Sequence, residues 1–440
     1  MLRRLLLVLV VALATAAGAQ ARVGADPLAS QEWWLSHVGA DHATAPGPGI
    51  PLAIVDSGTD PTQEEFATRP NTTFLNDQTT FGGDEWHGTL VASIAAAPDN
   101  GVLIDGVYPQ AALEIFDASA TPVTGITDFT VVTAISAIAQ HCPAVINLSF
   151  GGTDPDADLQ DALLGAMRNG CLIVAAAGNN GDEGSPASYP ASWPHVLAVG
   201  ATDQSDVPAS FSTIGPWLDL AAPGKDMLGA VPHWRSANGY RIESGTSFAA
   251  PIVAAAAAWV WTVRPTLTAS QVSALLRASA RDVGAPGFDS ATGWGIVDIP
   301  AALAAPTPPN DPYEPNDDIA QVKPGVLFAD GQAPITRTGK PSIRLAATLD
   351  ASDDPRDVYR IWVPARRYVH VSTVSGGSAA ARIWGPKAVG VHEGLAAQRR
   401  DLRGPRMYGG AHGSAAYVEV LLTGRSQTAR YTLSVTAAKR

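Results

Sequence analysis

Short apolar runs alternate with longer stretches of mixed polarity over roughly the first 300 residues. The runs are nearly continuous, and most of them close on a small or polar residue: PLAIVDSG, AALEIFDAS, AVINLSFGG, CLIVAAAGN, HVLAVGATD and WLDLAAPG. Such runs are typical of strands that are buried on both faces, and helices between them indicate a parallel sheet. This part of the chain is therefore predicted to adopt an α/β fold with a mainly parallel sheet.

The pattern changes after GWGIVDIPAAL. The stretch AAPTPPNDPYEPNDD is rich in proline and has no apolar periodicity, which predicts a stiff linker. Beyond it, apolar and polar residues alternate in four short runs: DVYRIWV, RYVHVSTV, AYVEVLL and RYTLSV. This alternation predicts an antiparallel sandwich in which each sheet has one solvent-exposed face. Because 440 residues exceed what one core usually fills, we predict two domains, over residues 22–305 and 316–440, joined by a linker over 306–315.

The amino terminus has the layout of a secretory signal. Arg3 and Arg4 precede an apolar run, and small residues follow up to Ala19 and Ala21. A membrane anchor is the alternative, but it needs about 20 apolar residues, and this run is shorter. We predict that residues 1–21 are removed, that the protein is secreted and that it has no membrane span.

Charge is distributed unevenly along the chain. Residues 1–312 carry 11 Lys+Arg and 30 Asp+Glu, whereas residues 313–440 carry 18 and 11. The acidity of the first part argues against nucleic acid as a partner. The basic second part has no dense Lys/Arg run interleaved with aromatic residues, so a solvated surface is favoured over a polyanion site.

Three polar residues in short glycine-flanked contexts are candidates for catalysis: Asp56 in VDSG, His87 in EWHGT and Ser247 in GTSFAAP. A serine hydroxyl needs an imidazole to take its proton, and the imidazole needs a carboxylate to fix its tautomer. Each motif alone is more often a turn, a surface residue or a strand end. Together, in the order Asp, His, Ser, they favour a catalytic triad.

On these blocks the sequence resembles the subtilisin-like serine peptidases, the subtilases, from about DPLASQEWW to GWGIVDIPAAL. The resemblance implies a three-layer α/β/α fold and hydrolysis of peptide bonds through an acyl-enzyme. It makes Ser247 the nucleophile, His87 the general base and acid, and Asp56 the orienting carboxylate. Asn179 of AAAGNNG would be the side-chain donor of the oxyanion hole.

The same resemblance implies a binding site for extended peptide segments. NLSFGG is similar to the strand that pairs with a substrate through main-chain hydrogen bonds, with Ser149, Phe150 and Gly151 as the contacts. Ser188 of SYPA would lie near the base of the pocket for the residue before the cleaved bond. The small side chains that line this pocket would leave room for a large apolar side chain of the substrate. The partners are then protein or peptide substrates, and we expect a monomer.

PDNGVLIDG resembles the calcium loop of the family. Ca²⁺ prefers six to eight oxygen ligands from several chain segments, and an ordinary metal-free turn is the alternative. The ligands implied by position are carboxylates, one amide oxygen and carbonyls, from Asp26, Glu65, Asn100, Pro98, Val102 and Ile104.

The chain has two cysteines, Cys142 and Cys171, and each precedes a predicted strand. If the two strands are parallel neighbours, both thiols lie at their amino ends, away from the catalytic edge. Export into an oxidising compartment favours a disulfide over two buried thiols.

The second domain resembles the bacterial pre-peptidase C-terminal domain, through DPYEPNDDIAQ and DPRDVYRIWV. Such domains imply binding or secretion roles, and a stabilising sandwich without a ligand is the alternative. Few residues separate the predicted signal from DPLASQEWW, where most secreted subtilases have an inhibitory pro-domain. The expectation is a secreted serine endopeptidase. The alternative is a catalytically silent subtilase-like module whose tail binds a partner.

Overall fold

A seven-stranded parallel sheet organises the first part of the chain. The computed structural model describes residues 26–78, 85–119, 125–351, 353–376, 378–391, 402–424 and 427–439, so the predicted signal over 1–21 lies outside it. The strand order is β2-β3-β1-β4-β5-β6-β7, and all neighbours run parallel. The strands are β1 Leu52–Asp56, β2 Thr72–Phe74, β3 Leu113–Asp117, β4 Val145–Leu148, β5 Leu172–Ala176, β6 Val196–Thr202 and β7 Leu220–Pro223. The predicted parallel α/β fold is confirmed.

Helices cover both faces of this sheet. Alternate residues of β1 enter two different cores: Leu52 and Ile54 pack with the helices over residues 87–96 and 246–263, whereas Ala53 and Val55 pack with those over residues 128–138 and 157–168. This alternation confirms the three-layer arrangement, because successive side chains of a strand point to opposite faces. The helices are α1 Trp33–His37, α2 Glu64–Ala67, α3 His87–Ala96, α4 Asp128–Ile138, α5 Ala157–Arg168, α6 Thr246–Val263, α7 Ala269–Ser279 and α8 Ile299–Ala304.

Helix α6 is the central helix of the first core. By length and composition it could cross a membrane, but 83% of its apolar window is buried inside the protein. Its alanine-rich run lets the helix contact β4, β5, β6 and β7 closely. A hairpin of β8 Met227–Ala230 and β9 Tyr240–Glu243 leads directly into this helix.

The predicted disulfide between Cys142 and Cys171 is present. The two residues precede β4 and β5, which pair in parallel with Val145 opposite Leu172. The bond therefore ties the amino ends of neighbouring strands, at the edge of the sheet opposite the catalytic candidates.

The tail is a sandwich of two four-stranded antiparallel sheets, as predicted. Their orders are β10-β17-β12-β15 and β11-β16-β13-β14, and their inner faces share one apolar core. A short helix, α9 Ile319–Val322, precedes the strands. The strands are β10 Ile343–Asp350, β11 Arg356–Val363, β12 Arg367–Val374, β13 Ala379–Trp384, β14 Leu402–Gly404, β15 Arg406–Tyr408, β16 Ser414–Leu422 and β17 Thr428–Lys439.

Residues of the predicted linker are hydrogen-bonded to both parts of the chain. Arg264 donates to the hydroxyl of Thr307 over 2.7 Å, and the Gln271 amide donates to the carbonyl of Pro308 over 2.8 Å. On the tail side, Gln332 donates to the carbonyl of Tyr313 over 2.6 Å. The segment thus runs along the first domain before it enters the sandwich.

A buried ion network joins the tail to the first domain. Arg277 of α7 donates to Asp219 over 2.9 Å and to Asp353 of the tail over 2.6 Å. Asp353 also accepts the backbone N–H of His195, whose ring lies 2.7 Å from Asp317. Burial alone would raise the pKa of Asp353, but the charges of Arg277 and His195 and their hydrogen bonds together outweigh it and lower that pKa. Burial would lower the pKa of His195, but Asp317 and Asp353 raise it to about 9.

We expect Asp353→Asn to weaken the attachment of the tail. Removing one partner of a buried ion pair costs about 3–5 kcal/mol when the other charge is left unpaired. Because Asp219 still neutralises Arg277, the expected loss is smaller, about 2–3 kcal/mol. Urea unfolding followed by tryptophan fluorescence measures it. Asp330→Asn, which removes an exposed partner of Arg168, is the control and should leave unfolding unchanged. Equal effects of the two substitutions would contradict the role given to Asp353.

Candidate active site

Asp56 and His87 meet at the carboxyl edge of the parallel sheet. Asp56 is the last residue of β1, and His87 is the first residue of α3. The His87 Nδ1 atom lies 2.8 Å from Asp56 Oδ1, which also accepts the backbone N–H of Ser57 over 2.7 Å. The carboxylate is almost fully buried, so this hydrogen bond fixes the ring. With Nδ1 held in this way, Nε2 is the ring nitrogen available for proton transfer.

The glycine after His87 is required by close packing. A Cβ atom at Gly88 would lie 2.2 Å from the carbonyl oxygen of Gly58 and 3.1 Å from Asp56 Cβ. Only glycine allows the start of α3 to approach the end of β1 so closely. The HGT and DSG motifs therefore pack directly against each other.

Ser247 is the second residue of α6. The next residue, Phe248, is buried, and its ring centroid lies 5.5 Å from that of His87. Because Ser247 lies in the first turn, its backbone N–H has no acceptor within the helix. The Ser247 hydroxyl donates to the carbonyl oxygen of Ser149 over 2.7 Å. The structure thus brings Asp56, His87 and Ser247 to one edge of the sheet.

Ser149 and Ser247 exchange two hydrogen bonds, and Pro251 makes the second possible. In a regular helix the N–H of residue 251 would donate to the carbonyl of residue 247. Proline has no N–H, so this carbonyl lacks its helical donor. The Ser149 hydroxyl donates to it instead, over 2.8 Å. The serine at the start of α6 is therefore tied to the strand end at Ser149 in both directions.

Asn179 follows β5 and faces the start of α6. Its Oδ1 atom accepts the backbone N–H of Thr246 over 2.9 Å and the Thr246 hydroxyl over 3.0 Å. With the oxygen fixed in this way, the Nδ2 group lies 3.5 Å from the place where a Cβ of Gly245 would be. The amide donor thus faces the turn that carries Ser247. Sequence reasoning missed Thr246, which orients this amide from a position next to the predicted nucleophile.

The segments predicted to bind substrate lie side by side. Gly152 and Tyr189 form an antiparallel bridge with N–H to O distances of 3.0 and 2.8 Å. A Cβ at Gly151 would lie 2.7 Å from Ser188 Oγ. Phe150 packs against the second core cluster. Ser149, Phe150, Gly151 and Ser188 are thus in one neighbourhood.

One further hydroxyl borders the same space. A Cβ at Gly178 would lie 3.0 Å from Thr213 Oγ1 and 3.1 Å from Ser188 Oγ. Thr213 also accepts the backbone N–H of Asn180 over 3.0 Å. The sequence gives no signal for Thr213, because it lies in a loop that only the fold brings here.

The predicted calcium loop contains several oxygens in a crowded acidic environment. The buried Oδ2 atom of Asp26 and Oε2 atom of Glu65 have no hydrogen-bond partner among the described residues. Asn100 Oδ1 accepts the N–H of Val102 over 2.7 Å, and Glu65 Oε1 accepts that of Ile104 over 3.2 Å. Pro98 is buried at the start of the same loop.

The carboxylates that come closest together here differ from the predicted set. Asp26 groups with Asp99 and Asp105, with one oxygen of each within 4.8 Å of the others. Burial, with a smaller contribution from neighbouring carboxylates, raises the pKa of Glu65 to about 7 and that of Glu32 to about 9. Five acidic groups in one place favour a bound cation, and their oxygens fit a hard ion such as Ca²⁺. Asp99 and Asp105 were missed because only the loop conformation brings them to Asp26.

Two other groups of side chains in the described part of the chain have a geometry that could hold a metal ion. Both lie at the junction with the tail and share Glu314. One group is His195, Glu314 and Asp317, and the other is Asp311, Glu314 and Asp357. Sequence reasoning gave these positions no binding role: it assigned His195 to a strand of the first domain, Asp311 and Glu314 to the linker, and Asp317 and Asp357 to the tail.

Comparisons with known proteins identify similar sequences and folds. A sequence profile described as the Subtilase family matches residues 47–295. Subtilisin DY of Bacillus licheniformis is 34% identical over 258 residues, which are 58% of this chain and 91% of that protein. The psychrophilic subtilisin-like protease Apa1 from Pseudoalteromonas sp. AS-11 has a TM-score of 0.56 at 22% identity, over 62% of this chain and 97% of that one.

One solved structure shares the fold over most of the chain. Fervidolysin from Fervidobacterium pennivorans, a keratinolytic enzyme related to subtilisin, has a TM-score of 0.58 at 22% identity. The match covers 93% of this chain and 55% of that chain. The likeness therefore extends beyond the region that the family profile matches.

The role of Pro251 in the hydrogen bonds between Ser149 and Ser247 can be tested by a double-mutant cycle. Ser149→Ala leaves the carbonyl of Ser247 without its donor, and it also removes the acceptor of the Asn147 amide. Each unsatisfied buried polar group costs about 1–3 kcal/mol. Pro251→Ala supplies an N–H that can donate to the same carbonyl. We therefore expect Ser149→Ala to destabilise less in the Pro251→Ala background, as measured by urea unfolding. Strict additivity of the two substitutions would show that the carbonyl does not link them.

Proposed function

The chain belongs to the subtilase family and is a serine-type endopeptidase, and from this premise we propose that Ser247, His87 and Asp56 are its catalytic triad. The main support is the 2.8 Å hydrogen bond between His87 and Asp56 beside the helix turn that carries Ser247. Asp56 keeps the imidazole in one tautomer and stabilises its cation.

In the first step, Ser247 Oγ attacks the carbonyl carbon of the scissile peptide bond. His87 Nε2 takes the hydroxyl proton as the new C–O bond forms, and the carbonyl electrons move to the oxygen. In the free enzyme the hydroxyl donates to Ser149. Substrate binding must therefore turn this hydrogen toward His87 before the attack.

In the following steps, the tetrahedral intermediate collapses and the C–N bond breaks. The imidazolium of His87 gives its proton to the departing amine, which leaves an ester on Ser247. Water then attacks this ester, with His87 again as the base, and releases the acid product and free enzyme. His87 then passes the proton that it took from water to Ser247 Oγ, so atoms and charge balance.

Asn179 and the backbone N–H of Ser247 would hold the oxyanion. The Asn179 oxygen is already fixed by Thr246, so its Nδ2 group is oriented before substrate arrives. The first-turn N–H of Ser247 points out of a helix end that favours negative charge. Such pre-oriented donors stabilise the transition state more than the ground state.

Substrates would be extended segments of proteins or peptides. The strand end at Ser149–Gly151 offers main-chain groups for pairing, as in strand addition to a sheet edge. Side chains are small around the adjoining space, where Gly151 and Gly178 face Ser188 and Thr213. This supports an apolar side chain before the cleaved bond.

Labelling with a fluorophosphonate tests the nucleophile. We expect covalent labelling of the wild-type protein and none of Ser247→Ala, with mass spectrometry of the labelled peptide as the measurement. Asn179→Ala should lower kcat on a peptide substrate by about 10² to 10³, the cost of one oxyanion donor measured in subtilisin, a member of this family.

Asn180→Ala is the matched control, because the neighbouring amide donates to Glu183 over 2.7 Å and should leave kcat unchanged. Folded wild-type protein without Ser247-dependent labelling would favour a catalytically silent module with a binding tail.

We also propose that the protein is exported and that it holds Ca²⁺. Subtilisins such as that of Bacillus licheniformis, to which the chain is similar, support both proposals. Asp26, Asp99 and Asp105 would hold the ion in the loop after α3, with Glu65 beside them. The ion would neutralise crowded carboxylates and fix the loop. It takes no part in the triad chemistry.

Chelation of calcium should lower thermal stability. A ligand that binds only the folded state stabilises it by about 2.7 kcal/mol at 100 times its Kd. We expect EGTA to lower the Tm of the wild-type protein and Ca²⁺ to restore it. Asp26→Asn should lose most of this response, and Asp154→Asn, an exposed control, should keep it.

If EGTA still lowers the Tm of Asp26→Asn by a smaller amount, the remaining effect would come from the group of Asp311, Glu314 and Asp357 at the junction with the tail. Adding Glu314→Gln should then remove that remaining effect. Identical responses of the wild-type protein and Asp26→Asn would contradict the loop site.

A further inference from the structure

The outer face of one tail sheet collects cations that are far apart in the sequence. In the sheet β10-β17-β12-β15, Arg406 lies opposite His370 of β12. Arg344 lies opposite Ser434, and Thr348 lies opposite Arg430. These side chains point away from the sandwich core, and the three arginines are exposed.

These cations are not neutralised locally. Within the described part of the chain, Arg344, Arg406 and Arg430 make no ion pair. The described sequence of the four strands contains one carboxylate, Asp350, at the end nearest the first domain. At that end, the charge of Asp350 raises the pKa of Arg277. The exposed face is therefore positive over most of its length, which a search for runs of Lys/Arg does not detect.

The cations are spread over a distance that is longer than a small anion can span. Ser434 lies opposite both Arg344 and Ser372, so Arg344 is level with Ser372 across the sheet. Ser372 is two residues along β12 from His370, which lies opposite Arg406. Arg430 lies four positions further, opposite Thr348. At about 3.4 Å per residue the cations span about 20 Å along the strands. A linear polyanion can contact all of them at once.

Aromatic rings mark one end of this face. The rings of Tyr368 and Tyr408 lie 4.8 Å apart, and Tyr408 is 42% exposed. The guanidinium of Arg406 lies 3.8 Å above the Tyr368 ring. This contact holds the guanidinium in place, while its N–H groups remain available to a carboxylate or sulfate. An exposed tyrosine offers an apolar face and a hydroxyl to a sugar ring.

The surface between the aromatic end and Arg430 is rich in hydroxyl groups. Ser372 and Ser434 pair with each other, and Thr432 lies opposite both Val374 and Ala346. Apart from the exposed Val374, these side chains are small, so the stretch lacks the bulky aromatic anchors that dominate protein interfaces. Hydroxyls, a tyrosine pair and spaced arginines together suit a sugar polymer that carries acidic groups.

We propose that this face of the tail binds an anionic polysaccharide. Carboxylate or sulfate groups contact Arg344, Arg406 and Arg430, and a sugar ring lies against Tyr408. Because the first part of the chain has a large excess of acidic residues, it repels the polymer, and binding is confined to the tail. The inference does not depend on the proposed catalytic function.

The test uses the full-length chain with Ser247→Ala, so that self-cleavage does not interfere. Binding to dextran sulfate and to polygalacturonate is measured by calorimetry, with neutral dextran and polyglutamate as comparison polymers. The two anionic polysaccharides separate sulfate from carboxylate recognition. We expect binding to at least one of them, no binding to neutral dextran, and a loss of affinity of about tenfold or more between 50 and 200 mM salt.

Substitutions locate the site. Arg344→Gln, Arg406→Gln and Arg430→Gln together should weaken binding about tenfold or more at low salt. A charge-matched variant with Arg337→Gln, Lys340→Gln and Lys387→Gln, all outside the four strands, should bind as the parent does. Tyr408→Ala should weaken binding to the polysaccharide without changing its salt dependence. Circular dichroism of each variant verifies the sandwich.

Three outcomes would overturn the proposal. Equal losses in the two triple variants would show that net charge alone attracts the polymer. Equal affinity for polyglutamate, with no effect of Tyr408→Ala, would show that the face binds acidic chains without sugars. Self-association in gel filtration that the arginine variant abolishes would show that the face binds the acidic domain of a second copy.

Discussion

The hydrogen bonds exchanged by Ser149 and Ser247 are the contact on which the geometry of the active edge depends. They join the carboxyl end of β4 to the first turn of α6, so the candidate nucleophile has a fixed position relative to the strand that would hold the substrate. One of the two hydrogen bonds forms because Pro251 withholds a helical N–H from the Ser247 carbonyl. A residue that would weaken most helices thus allows a strand and a helix to share a second hydrogen bond at the reacting group.

Negative charge is the second constraint on this molecule. The first domain has few basic residues, and several are used where carboxylates would otherwise be buried together: Arg277 lies between Asp219 and Asp353. Around Asp26, burial and neighbouring carboxylates raise the pKa of Asp26 and Glu65, and the Ca²⁺ ion proposed for this loop would neutralise the cluster. The tail carries the opposite balance, and its cations are exposed on one face.

The sequence allowed the sheet and the positions of the catalytic candidates to be predicted, because both depend on local patterns. A buried strand that ends in Asp56 is visible in PLAIVDSG, and the start of a helix is visible at Ser247. Thr246 and Thr213 could not be assigned, because their contacts with Asn179 and the Gly178 region arise only when distant loops pack. The cation-bearing face was missed for the same reason. Its arginines are spaced by whole strands, and pairing between strands is not written in any short stretch of sequence.

The two edges of the parallel sheet separate the two proposed sites in space. Parallel strands place Asp56, Ser149 and Asn179 at their carboxyl ends, whereas the residues that bind the tail, such as His195, lie before the strands begin. The tail is thus attached at the edge opposite Ser247. A polymer bound to the outer face of the sandwich would not compete with a peptide at the active edge. Because the ion network at Arg277 fixes the attachment, such a polymer would hold the enzyme in place while its catalytic edge faces the surroundings.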